Sequence, residues 1–294
     1  MRRLGLAART VLTAAALLVA TGPHTNAQPL PPDAAIVSPD TAELAEQVYA
    51  AGNADLTAAA IAAESGEFAD RMAALYFDHG SGPDWREEVA RLHDPVRVSG
   101  LLLGAIGGLV SAPGFDADRI GPAIGASGVA ARPNGRKNWL TARVLLGRMG
   151  AGDKAAARMQ ADPATLEGIG KTIAAEGLVT QAVSQRMNRD IAFARGFAEA
   201  EGFAFPTRMA DIAADLILQL DELQAEEQAR IELTLYAAFG ARAAQNPGQS
   251  SFRQDDDAAR ALRSLMSRAE AEVVEQLATE TGRAAARRLS GEAL

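Results

Sequence analysis

Residues 255–288, DDDAARALRSLMSRAEAEVVEQLATETGRAAARR, decide the fold class. Leu262, Leu265, Met266, Ala269, Val273 and Leu277 recur in steps of three and four, so a helix gathers them on one stripe whereas a strand would scatter them over two faces. Asp255, Asp256 and Asp257 put negative charge at the start and Arg283, Arg287 and Arg288 put positive charge at the end, as the helix dipole favours. Towards the N-terminus the same spacing returns in Val183, Met187 and Ile191, and in Ile61, Phe68, Met72, Leu75 and Tyr76. No strand-like alternation competes with it. The expectation is an all-α chain, a multi-helix bundle or array.

Local signals place further helices. Asp84 to Glu87 has capping-box spacing ahead of a stripe of Trp85, Val89 and Leu92, which Asp94-Pro95 ends. Asp162-Pro163 opens another helix carrying Leu166, Ile169 and Ile173. Longer helices are expected over about 180–200, 207–223 and 225–244, with a loop at 246–254 begun by Asn246-Pro247-Gly248. The start signal at Asp162-Pro163 leaves room for a sub-boundary near residue 160. Residues 63–73 and 200–210 also align without gaps, matching at Ala, Glu, Phe and Arg-Met-Ala, a similarity that alanine-rich sequence produces by chance more readily than by a diverged duplication.

The N-terminus bears on compartment. Arg2, Arg3 and Arg9 precede a short apolar run over 11–20, and Thr25-Asn26-Ala27 supplies small residues before Gln28. This reads as a secretory signal over 1–27, cleaved near Ala27, which sends the mature chain to the periplasm or outside a Gram-negative cell. Residues 28–40, with Pro29, Pro31, Pro32 and Pro39, read as a Pro-rich tether, and 41–294 as the helical body. Removing the three leader arginines from a chain of formal net charge −8 leaves −11, which argues against nucleic acid as a partner. The chain has no cysteine, so disulfides, thiolate metal sites and thiol nucleophiles are excluded. No phosphate-binding glycine loop, dinucleotide fingerprint or Gly-x-Ser-x-Gly elbow is present, and no cofactor or metal is expected.

Three groups of residues are candidate sites. Asp78-His79 and His93-Asp94 are the one polar cluster with a chemistry of its own, because imidazole beside carboxylate can ligate a metal or act as base and orienting group. The opposing expectation is that each histidine ends a helix, where the dipole stabilises imidazolium. Arg132, Arg136, Lys137, Arg143 and Arg148 form a basic stretch suited to an anionic lipid or polymer surface, while Asp211, Asp215, Asp221, Glu222, Glu226, Glu227 and Glu232 make an acidic one. Residues 98–112, VSGLLLGAIGGLVSA, repeat a small residue every fourth position at Gly100, Gly104, Gly108 and Ala112. That ridge would allow close helix packing, and with the charge-free residues 120–131 it offers a route to membrane association.

Residues 61–68, IAAESGEF, resemble the catalytic-glutamate motif of lytic transglycosylases, in which a Glu followed by Ser serves as acid and base on a glycosidic bond. The Gly-Leu-Met-Gln type segment that should follow is missing from 70–82, so the role is not carried over to Glu64, which reads as lying on the solvated side of its helix. Together these features point to an exported, non-catalytic envelope protein that binds another protein or an anionic envelope polymer or lipid. The alternatives are a metal-dependent or acid/base hydrolase using the His/Asp cluster, and a membrane-associating protein acting through 98–131.

Overall fold

Pro83, Pro95 and Pro163 each occupy the first turn of a helix, where a missing backbone N–H breaks no bond, and they help to punctuate the chain in the computed structural model. The structure describes residues 39–77, 80, 82–126, 135–148, 151–160, 162–200, 214, 217–240 and 257–290. In chain order the helices are α1 (Pro39–Ala51), α2 (Ala54–Tyr76), α3 (Pro83–Leu92), α4 (Pro95–Val110), α5 (Gly121–Ala126) and α6 (Gly135–Leu146). They continue with α7 (Ala151–Gln160), α8 (Pro163–Glu176), α9 (Leu178–Ala200), α10 (Leu220–Phe239) and α11 (Asp257–Ser290). No strand occurs among the described residues. The fold is all-α, with the helices packed in an array, and Ser38–Leu294 makes up one compact unit.

The long C-terminal helix α11 is the axis of that array. Every member of its expected stripe from Leu262 to Leu277 is buried, against Val48 of α1, Ile61 of α2, and Val98, Leu102, Ile106 and Val110 of α4. Further along, Ala278, Ala284, Ala285 and Ala286 meet Phe68 and Met72 of α2, Trp85 and Val89 of α3, and Phe193 and Phe197 of α9. The indole of Trp85 is fully buried and donates to the Ala69 carbonyl at 2.9 Å, so its burial leaves no polar group unsatisfied. A third core joins Ile169 and Ile173 of α8 with Ala182 of α9 and Ile231 and Leu235 of α10.

Several expectations are corrected. Gly100, Gly104, Gly108 and Ala112 do not line a close packing face. All four are exposed, and a Cβ on any of the three glycines would meet nothing within 4 Å. The buried face of α4 is the branched one. Close approach occurs instead between α9 and α11, where a Cβ on Gly196 would overlap the Thr279 carbonyl and one on Gly282 the Phe193 carbonyl. Two isolated glycines thus let two backbones touch, whereas the repeated ones face outward.

Three helix edges also move. Gly82, not Asp84, is the N-cap of α3, with Pro83 opening the helix and Asp84 in its first turn. Pro39 begins α1 rather than lying in an extended tether. The break expected between 223 and 225 is absent, because Gln224 and its neighbours are good helix formers and α10 runs through them to Gly240, whose φ of 49° suits glycine. Residues 1–38, the loop at 246–254, most of the helix expected over 207–223 and the second copy of the internal similarity lie outside the described residues. Among the described residues no helix is long and apolar enough to cross a membrane.

Candidate functional site

The sequence candidates are largely employed in holding the fold. Asp94 is the N-cap of α4, its Oδ1 accepting from the backbone N–H of Val96 at 3.0 Å and of Arg97 at 3.1 Å. His93 is buried, with its Nδ1–H donating to the Val89 carbonyl at 2.9 Å and its ring 6.0 Å from that of Phe68. Burial pushes its imidazole down to about 4, the Val89 bond opposing and the nearby Arg189 and Arg97 assisting, so the ring is neutral rather than the imidazolium expected at a helix end. Asp78 and His79 lie outside the described residues, and no group of three or more metal-ligating side chains occurs among the described ones.

The basic stretch divides. Lys137 and Arg148 are exposed, Arg132 lies outside the described residues, and Arg136 and Arg143 turn inward. Arg143 is bidentate on Glu64, with Nε at 2.7 Å from Oε1 and Nη2 at 2.9 Å from Oε2, and its Nη1 reaches Glu270 at 2.6 Å. Arg136 lies 3.6 Å from Glu270 and donates to the Gly52 carbonyl and the Thr57 hydroxyl. Glu64 is therefore not a solvated helix residue. Burial alone would raise its carboxyl, but Arg143, with Arg230 and Arg189 beyond, brings it to about 2. A glycosidase acid must hold a proton near neutrality, and this carboxylate does not.

Glu64 and Arg143 form part of the wall of a cleft of about 1090 Å³ built by α2, α6, α7, α9 and α10. Along α9, Arg186, Arg189 and Asp190 follow i, i+3, i+4 spacing and so project together into it. Arg71 of α2 pairs with Asp190 at 2.9 Å, and Arg186 reaches Glu226 at 2.6 Å and Glu227 at 3.3 Å. Glu227, almost fully buried, is also held by Arg230. Arg189 differs from these. It stacks over the Phe68 ring at 4.9 Å, beside Arg71 at 5.4 Å from the same ring, and has no carboxylate within ion-pair distance among the described residues.

The electrostatics follow from that geometry. Burial, followed by repulsion from Arg71, lowers the Arg189 guanidinium to about 10, so it is still charged at neutral pH but is destabilised there. The Nε–H groups of Arg71, Arg186 and Arg189 are all buried without a hydrogen-bond partner. The cleft lining carries seven carboxylates and five arginines, and of those arginines Arg189 is the one without an ion-pair partner among the described residues; an oxyanion is the group that would pair with it.

Reading the sequence alone did not find these arginines, because Arg71 and Arg189 lie far apart in the chain. The available signal was the charged i, i+3, i+4 set of Arg186, Arg189 and Asp190 beside the apolar residues of α9. Compared with known families, curated proteins and solved structures, the chain finds no match, so the cleft is interpreted from its own geometry.

Proposed function

We propose that this is a non-catalytic helical protein, exported to the bacterial envelope, that acts by binding an anionic envelope component through the arginine cleft. The observation that carries this reading is Arg189, a half-buried cation that stacks on Phe68 and has no carboxylate within ion-pair distance among the described residues. Buried charge is costly unless matched, and a bound oxyanion would match it. The carboxylates nearest that cation favour binding over proton transfer, since Glu64 is locked as an anion by Arg143 and Asp190 is engaged by Arg71. Export is supported by the charge and cleavage pattern of residues 1–27.

Two measurements test this reading. N-terminal sequencing of protein recovered from the periplasm should begin at Gln28, and retention of Met1 in the cytoplasm would remove the envelope from the proposal. Thermal unfolding should shift upward with added phosphate or carboxylate ions and lose that response at high salt or in Arg189→Gln. An unchanged midpoint with every anion, in a protein whose Arg189→Gln variant behaves identically, would overturn the binding role.

A further inference from the structure

The cleft holds much more than a bare anion needs. At about 1090 Å³ it lies near the upper end of small-molecule sites, and inorganic phosphate or acetate would fill a small part of it. Its lining also changes character along α2. Glu64, Arg71 and the Arg189 contact at Phe68 occupy one portion of the helix face, while Met72, Leu75 and Tyr76 occupy the next turn. At 1.5 Å per residue, Glu64 to Tyr76 covers roughly 18 Å. Met159 of α7 and Leu233 of α10 line the cleft as well, and the flexible methionine can adapt to an irregular apolar body. Leu75, 64% exposed, is a large apolar side chain on this wall that the protein itself does not cover.

Resting on the anion-binding reading above, we infer that the ligand is an amphipathic oxyanion, a fatty carboxylate or an alkyl phosphate. Its head lies on the Arg189 guanidinium, and its hydrocarbon runs over Leu75, Met159 and Leu233. The guanidinium provides the directed donors that an oxyanion accepts. The apolar wall adds burial that a free ion cannot gain. Carboxylate and phosphate heads share this chemistry, and the source is settled by which head binds more tightly.

The test is calorimetric titration of the full protein with dodecanoate and dodecyl phosphate below their micelle thresholds, alongside acetate, inorganic phosphate, dodecanol and dodecyltrimethylammonium. Both chain-bearing anions should bind, and the tighter one identifies the head. The short ions, the neutral alcohol and the cation should bind at least 10-fold more weakly. Arg189→Gln should weaken the chain-bearing anions roughly 10- to 100-fold, the loss expected for one charged hydrogen-bonding partner. Arg189→Lys, which keeps the charge, should retain part of that affinity, and the uncharged Leu75→Asn should weaken dodecyl phosphate while leaving inorganic phosphate unchanged. Circular dichroism of each variant separates lost binding from lost folding. Equal affinity for acetate, phosphate and their dodecyl counterparts overturns the amphipathic ligand and leaves the anion site standing. Binding of dodecanol as tight as dodecanoate removes the role of the arginines, and no binding of any anion overturns both readings.

Discussion

Replacing His93 with Leu should flatten the acid side of the stability profile. The imidazole is 6% exposed, packs on Phe68, and faces Arg189 of α9, Arg97 of α4 and Glu280 of α11. Its folded value of about 4 lies below the ordinary 6.5, so between those values the unfolded chain takes up a proton that the folded chain refuses. Stability is therefore complete above pH 6.5 and is lost as pH falls towards 4. The shift corresponds to roughly 2 kcal/mol between pH 7 and pH 5 and about 3 kcal/mol by pH 4. Urea and thermal unfolding of wild type and His93→Leu at pH 7, 6 and 5 measure it directly. The wild type should lose about 4–8 °C more than the variant over that interval, given a domain of this size. Parallel curves for the two proteins would refute a buried, neutral His93.

Other substitutions probe other parts of the structure. Gly196→Ala and Gly282→Ala should each destabilise by about 1–3 kcal/mol or more because the added methyl meets backbone, whereas Gly100→Ala and Gly104→Ala should stabilise by about 0.5–1 kcal/mol; denaturant midpoints in the same order for both pairs would restore the small-residue ridge as the packing face. Arg143→Met leaves the half-buried Glu64 and Glu270 without their main partner and should cost about 2–4 kcal/mol in a urea titration, part of which returns in Arg143→Met/Glu64→Gln. If the double variant is no more stable than the single one, the two side chains are not coupled. Asp94→Ala should cost about 1 kcal/mol and Asp94→Asn much less, as befits a helix cap, and a change in bound metal by elemental analysis would instead return Asp94 to a ligand role.

The fold class was legible in the sequence because apolar spacing is a local property. The stripe of α11, the Asp-Pro stop of α3 and the Asp-Pro start of α8 needed no knowledge of neighbouring helices. Facing was not local. The glycine ridge of α4 looks adapted for contact, yet its other face carries Val98, Leu102, Ile106 and Val110, and burying branched side chains removes more apolar surface than burying glycine. Arg143 looked like surface charge because Glu64 and Glu270, which draw it inward, lie 79 and 127 residues away. The same distance effect hid Arg189, whose significance depends on the Arg71 that α2 and the Arg230 that α10 bring near it.

The placement of α11 sets an order on the making of the protein. A chain is synthesised from its N-terminus, yet Val48, Ile61, Leu102 and Ile106 are buried against residues of α11, and Phe68, Met72 and Trp85 belong to a core that α11 completes. Until residues 257–290 are made, these two cores lack the wall that α11 supplies, and the contacts that complete them span most of the distance from α1 to α11. The core of Ile169, Ile173, Ala182, Ile231 and Leu235 has no residue from α11, so the region of α8, α9 and α10 can pack before residues 257–290 are made, while the other two cores wait for them.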